Sequence, residues 1–340
     1  FMDSFSHYSI GQVLRKWSTQ GGTAATFDDT VQLHPGASQV IYFPSNATQQ
    51  NLVRNITGIT TVVVGFYVRF TAVATAAAFC ELLESATVHV DLRLNTSGQL
   101  VVTRNGTALA TSSNSFSANT WYHVEAKVTI GDAADSPSGR YQVRVNGSTT
   151  GWIADSGTGQ DTRNAGTQTV NQVKIRSANG FGTYFSSFYI LDTTGSVAND
   201  FVGPSRVAVL RPAGVGNYSQ WTPNYAGNFV NVSEDLADDD LSFNQSSTAN
   251  QIDTFPIVEL PSGATVHALQ YAITARQDAG AARTIAPLTR ISTTDYAGTN
   301  YSTSASYGMD VEALTLSPAT SAQWTVSEVN GAEFGYKLIS

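Results

Sequence analysis

"NTWYHVEAKVTIGD" (119–132) and "SGRYQVRVNGSTTGW" (138–152) decide how the chain is read. In the first, Val124, Ala126, Val128 and Ile130 alternate with Glu125, Lys127 and Thr129. In the second, Tyr141, Val143 and Val145 alternate with Gln142, Arg144 and Asn146. A period of two places one set on each face of a strand. The same alternation runs through "ATVHVDLRLNTSGQLVVTRNGTALATSS" (86–113), where Val88, Val90, Leu92 and Leu94 interleave with His89, Asp91 and Arg93. "TSGQ" and "RNGT" are the turns, the second carrying the Asn-Gly pair that tight hairpins favour. Further strands are expected at "SQVIYFPS" (38–45), at "TTVVVGFYVRFTAV" (60–73) with a bend or bulge near Gly65, at 77–85, at 170–177 and near 183–192. Short alternating strands joined by Gly and Asn turns indicate two packed antiparallel sheets.

The composition agrees. Of 340 residues only 13% are charged, against about 25% in an average protein, and Ser, Thr, Asn, Gln and 28 Gly supply the polarity. The formal net charge of −8 and the absence of a basic tract exclude the electrostatic footprint of a nucleic-acid binder. No stretch approaches the roughly 20 apolar residues of a membrane span. One cysteine, Cys80, excludes an intrachain disulfide framework and reads as a buried, inert thiol. The five histidines (His7, His34, His89, His123, His267) show no zinc spacing, and no phosphate-binding Gly-Lys-Ser/Thr loop occurs.

Gly203-Pro204 interrupts the alternation, which sets the expected organisation: 1–20 an N-terminal strap or docking segment, 21–198 a β-sandwich, 199–340 a second, smaller β-sandwich. Strands are expected in the last part at "SRVAVLRP" (205–212), within 265–280 and at the terminus, where Phe334, Tyr336 and Leu338 alternate.

The order of motifs carries a resemblance. "FSANTWYHVEAKVTIGD…SGRYQVRVNG" (116–147), followed by "VNQVKIRS" and "FSSFYILD" (170–192), resembles the laminin G-like, or concanavalin A-like, jelly roll. The opening "DSFSHY…LRKW", the run "VAVLRP…W…DDD…DTF" and the closing "W…VN…EFG.K" resemble virion structural proteins of tailed bacteriophages that carry this jelly roll. The resemblance implies an all-β chain without enzymatic activity or cofactor, placed on the exterior of a phage particle. It would be a tail fibre or tail appendage component, docked to other virion proteins and to copies of itself and able to touch a host-surface glycan. Capsid decoration or a head fibre, a secreted carbohydrate-binding module and a polysaccharide-cleaving enzyme are the alternatives.

Particular residues follow from this reading. Phe5, Tyr8 and Trp17 are candidates for an assembly contact or a strap over the jelly roll. Trp221 and Tyr225 are surface-binding candidates, because stacking on a sugar needs exposed aromatics. Asp238, Asp239 and Asp240, beside Glu234 and Asp235, are candidate calcium ligands as hard oxygen donors, although the spacing of an EF-hand is missing. Glu125 and His123 belong to the more polar strand face, and a carboxylate pair of Asp91 with Glu125 would need tertiary folding to form.

Overall fold

The computed structural model describes residues 1–30, 37–45, 49–177, 180–278, 280 and 282–340; His34 lies outside them. Two compact units emerge. One comprises Met2–Ser6 and Trp17–Ala208, the other Phe1, His7–Lys16 and Val209–Ser340.

The first unit is the jelly-roll sandwich. Its strands are β1 (Met2–Asp3), β2 (Thr19–Gly21), β3 (Thr26–Asp28), β4 (Val40–Phe43), β5 (Asn51–Ile59), β6 (Thr61–Phe70), β7 (Ala77–Glu84) and β8 (Thr87–Leu94). They continue as β9 (Gln99–Arg104), β10 (Thr107–Ser115), β11 (Trp121–Thr129), β12 (Arg140–Val145), β13 (Ser148–Ile153), β14 (Val170–Arg176) and β15 (Thr183–Asp192). An eight-stranded antiparallel sheet runs β13-β12-β11-β6-β15-β4-β3, with β1 added beside β15. A seven-stranded sheet runs β10-β9-β8-β7-β14-β5-β2. Asn105 and Gly106 both take positive φ (47° and 80°), as do Asn146 and Gly147 (51° and 79°), which is the backbone a two-residue hairpin requires. The expected alternation fills the core. Val124, Ala126 and Val128 from one sheet and Val90, Leu92 and Val102 from the other are almost fully buried. Phe66 meets Phe79 across the sheets with ring centroids 6.2 Å apart. Each such side chain contributes about 1.5–3 kcal/mol by leaving water.

Gly65 does not mark a bulge in its own strand. The β6–β11 register passes through Gly65 unbroken, and the irregularity sits in β15, between Ser186 and Tyr189. Glycine is required because a Cβ there would stand 2.0 Å from the Tyr189 ring.

Residues 1–20 do not behave as one segment, since Met2–Ser6 and Trp17 belong to the jelly roll and His7–Lys16 to the other unit. Phe5, Tyr8 and Trp17 are 0%, 0% and 1% exposed, so these side chains are spent on packing within the chain and offer no surface to a neighbouring subunit. In the jelly roll, Phe5 stacks on Trp17 (centroids 5.9 Å) and Trp17 packs on Phe188 (5.1 Å). The Trp17 Nε1–H donates to Asp3 Oδ2 (2.7 Å) and the Phe5 N–H to Asp3 Oδ1 (2.9 Å), so one buried carboxylate fixes both aromatic residues.

The second unit is a smaller sandwich. A five-stranded sheet contains β18 (Ile252–Pro256), β20 (Thr284–Ile291), β21 (Thr294–Ala297), β22 (Tyr301–Ser302) and β24 (Ala332–Leu338); β19 (Leu269–Ala275) pairs with β23 (Gly308–Leu314). The short pair β16 (Thr222–Pro223) and β17 (Asn244–Gln245) completes it. Its core gathers Ile257, Val266, Trp324 and Val329, with Phe334 and Leu269 against them. The expected strand at 205–212 is absent: that stretch makes one isolated bridge, Pro212 with Ile257. Proline at position 212 lacks the N–H a ladder needs.

Trp17→Ala should destabilise the protein by about 3–5 kcal/mol through the cavity it leaves. Asp3→Ala should cost about 1–3 kcal/mol by orphaning two buried donors. Urea unfolding followed by tryptophan fluorescence and circular dichroism measures both, and a loss below 1 kcal/mol for both would show that this packing does not hold the jelly roll.

Candidate binding face

The outer face of the eight-stranded sheet follows from parity. Since Val124, Ala126 and Val128 point inward, Trp121, His123, Glu125 and Lys127 point outward. Their cross-strand partners on β6 are Arg69, Tyr67, Gly65 and Val63. At one end the register lines up Trp121, Arg69, Tyr184 and Tyr42 across β11, β6, β15 and β4. The Tyr42 and Tyr184 rings stack at 4.3 Å, the Arg69 guanidinium lies over Tyr184 at 5.0 Å, and Trp121 meets Tyr184 edge-on at 6.3 Å. Tyr184 is 9% exposed, while Trp121, Arg69 and Tyr42 are part-exposed. Gly182 leaves room for the Tyr42 ring, which a Cβ there would meet at 2.6 Å.

Further along the face lies a polar chain. The Tyr67 ring sits 4.9 Å from His123, and His123 Nε2 is 3.2 Å from the Tyr189 hydroxyl. That hydroxyl donates to Glu125 Oε1 (2.7 Å), which assigns Nε2 as the donor to it. Glu125 also accepts the Val202 N–H at Oε1 (2.8 Å) and the Gly203 N–H at Oε2 (3.0 Å). Burial raises the Glu125 pKa above its ordinary value although these donors favour the anion. Burial and the Glu125 charge push the Tyr189 hydroxyl well above the usual phenol range. His123 and Glu125 therefore lie on the outer face as parity requires, yet both are 0% exposed. Residues 202–203 close over the carboxylate, which sequence alternation alone could not reveal.

Asp91 and Glu125 do not meet, because they stand on different sheets. Asp91 instead faces Glu81 across β7 and β8. Burial pushes both carboxyls up. Lys174 and Arg176 outweigh this for Glu81 and hold it below its ordinary value, whereas Asp91 stays raised despite Thr103 and Arg93. Both are buried, at 4% and 2% exposure, and neither opens toward a substrate. Cys80 is buried and free, its thiol pushed far up by desolvation.

The acidic stretch 234–240, in the C-terminal unit, is organised by arginines. A 3-10 helix over Ile10–Arg15 brings Gln12 Nε2 to the Ala237 carbonyl (2.8 Å) and Arg15 to both oxygens of Asp239 (2.5 and 2.7 Å). Asp240 accepts from Arg276 (2.8 Å) and from the Tyr307 hydroxyl (3.0 Å), and Tyr307 lies between the Arg15 and Arg276 guanidinium groups. Asp238 caps the Ser242 N–H and hydroxyl. The three carboxylates thus turn to different partners and converge on no common point. Among the described residues, Asp238, Asp239 and Asp240 included, no group of three or more His, Cys, Asp or Glu is placed to hold a metal. Glu234 differs: burial raises it to about 7, Asp238 adding to the effect and Arg211 opposing it.

Trp221 and Tyr225 part company. The Trp221 indole donates to the Gln251 carbonyl (3.1 Å) and packs edge-on against Tyr336 (4.8 Å), a structural position, whereas Tyr225 is 71% exposed. Sequence reading passed over Tyr42, Arg69 and Tyr184, which are up to 142 positions apart (184 − 42) and share a row only once strands pair. The outward parity of Trp121 was the one signal available.

No protein-family model and no curated protein matches the sequence. Solved structures with similar parts include a sialidase (15% identity, 46% of this chain, TM-score 0.35), of which the match spans only 15%. The cellulose-induced protein Cip1 matches at 12% identity over 61% of this chain and 92% of its own (TM-score 0.37). An alginate lyase from Aplysia kurodai matches at 12% over 55% and 97% (TM-score 0.39).

Glu234 predicts a pH dependence. Its folded pKa lies above the unfolded value, so the folded state holds the proton more tightly and stability falls as pH rises from about 4.5 to about 7. Glu234→Gln should flatten that decline, and denaturant unfolding at pH 5 and pH 7.5 measures it. An unchanged slope would show that Glu234 titrates as an ordinary surface carboxylate.

Proposed function

We propose that this protein is a noncatalytic component of the exterior of a tailed-bacteriophage particle, a tail appendage docked to a neighbouring virion protein through its C-terminal unit. The phage setting rests on the sequence motifs. The docking reading is carried by one observation: every exposed large apolar side chain among the described residues belongs to the C-terminal unit. Leu236 (40%) and Leu241 (77%) flank the acidic turn that Arg15 and Arg276 hold, and Leu14 (56%) sits on the 3-10 helix bonded to the same turn. Apolar side chains on a turn fixed by ion pairs lose little entropy on association, which suits a protein contact. The noncatalytic reading draws support from Glu81, Asp91 and Glu125, three jelly-roll carboxylates that are buried and hydrogen-bonded. A secreted carbohydrate-binding module is the second reading, favoured by the Trp121–Arg69–Tyr184–Tyr42 row.

Leu236→Asp combined with Leu241→Asp should leave the melting temperature within about 2 °C, as surface changes do. Incorporation of the chain into particles, measured by mass spectrometry of purified virions, should fall at least tenfold. Normal incorporation would sink the docking reading, and recovery of the wild-type chain only as free secreted protein would favour the carbohydrate-binding module.

A further inference from the structure

The jelly-roll unit carries a feature that docking does not use. Trp121, Arg69, Tyr184 and Tyr42 form one continuous row on the outer face of a sheet, each on a different strand and in direct register. A sheet face that only needs solubility would carry Thr, Lys or Glu. Here the Tyr42 and Tyr184 rings stack on each other, Arg69 lies over Tyr184 and Trp121 meets Tyr184 edge-on, a packed row of three aromatic rings with one fixed cation.

The state of that cation is informative. In this unit Arg93, Arg104, Arg140, Arg163 and Arg176 each make a salt bridge with a carboxylate. Arg69 makes none among the described residues; its partner is the face of the Tyr184 ring. A guanidinium supported by a ring rather than by a carboxylate keeps its charge available to a planar anion, which it can take in bidentate fashion. Its register neighbours on both sides, Trp121 and Tyr184, supply apolar surface rather than competing charge.

We propose that this row is a binding site for a carboxylated oligosaccharide, with one pyranose ring on Trp121, its carboxylate on Arg69 in the neighbouring strand, and a further ring of the same oligosaccharide reaching Tyr42 at the other end of the row. The site goes beyond the docking role, gives the surface attachment a ligand class, and stands whether or not the chain is part of a particle. Rings gripped by aromatics are recognised by shape, and the arginine selects those that bear an acid. Tyr184 is the fixed member, 9% exposed, whose ring supports the guanidinium from below. A carboxylate whose charge reaches the row is Asp28, two residues along β3 from Thr26, the residue in register with Tyr42. It accepts hydrogen bonds from the backbone and side chain of Thr30, and its charge opposes an acidic ligand.

The test is calorimetry of the full chain with hexagalacturonate, hexamannuronate and a sialylated oligosaccharide, and with the methyl ester of hexagalacturonate as the uncharged twin. At least one acid should bind, and the esterified form should bind about tenfold more weakly or worse, as loss of a charge-assisted hydrogen bond predicts. Arg69→Ala should erase the difference between acid and ester, Trp121→Ala should weaken both, and Asp28→Asn should strengthen the acid. Circular dichroism melting confirms that each variant is folded, and Arg69→Ala, on a part-exposed side chain, remains informative should Trp121→Ala unfold. Equal binding of acid and ester by the wild-type chain would overturn the inference in favour of a neutral-sugar platform. Binding of none of the acids would overturn it altogether, and neither result bears on particle incorporation, which tests the docking role.

Discussion

The jelly roll turns on the placement of one tyrosine. Tyr189 lies across Gly65, directs its hydroxyl proton to Glu125 and receives His123 from the other side. A buried carboxylate with unmatched lone pairs would cost several kcal/mol, and here three donors meet it: the tyrosine and the backbone N–H groups of Val202 and Gly203. The bulge in β15 that aims Tyr189, the glycine opposite it and the path of the chain beyond β15 are therefore one solution to one electrostatic requirement. Arg144 extends it, lying 4.0 Å above the Phe201 ring next to the closing segment.

This arrangement divides the outer sheet face into two regions of different character. Around Glu125 the carboxylate is met by three donors and shut away from water, which gives rigidity. Around Arg69 the groups are rigid as well, but their edges face outward. The same strands, β6, β11 and β15, serve both regions, so the locked end holds the geometry of the open one. Rigid elements place recognition groups more accurately than loops can.

The sandwich was legible because period-two alternation survives in nearly every strand, and because the Asn-Gly pair at 105–106 announced a hairpin that the backbone confirms; Asn146-Gly147 makes the same turn. The burial of Glu125 was not legible, since parity tells which face a side chain takes and not what later covers that face. Gly65 signalled an irregularity but not its location, because the sequence of one strand does not show the ring lying on it from the next. The opening aromatics read as an assembly contact or a strap over the jelly roll. In the fold they are buried, and Asp3, a residue with no distinguishing sequence pattern, holds Phe5 and Trp17. The partners of the acidic turn were not legible, because the arginines that bind it come from positions 15 and 276, far away in the chain.

The membership of the first residues in different units has a bearing on how the chain is made. Arg15 and Asp239 are 224 positions apart, yet they belong to the same compact unit. A ribosome adding about 5–20 residues per second would release the second partner about 10–45 s after the first. Phe188, on which Trp17 packs, is made before Asp239, so Trp17 and Phe5 can join the jelly roll while the 3-10 helix between them still has nothing to bind. An isolated turn of that length does not persist in water. The 3-10 helix thus forms late relative to its place in the chain, once the segment that carries Asp239 has followed it.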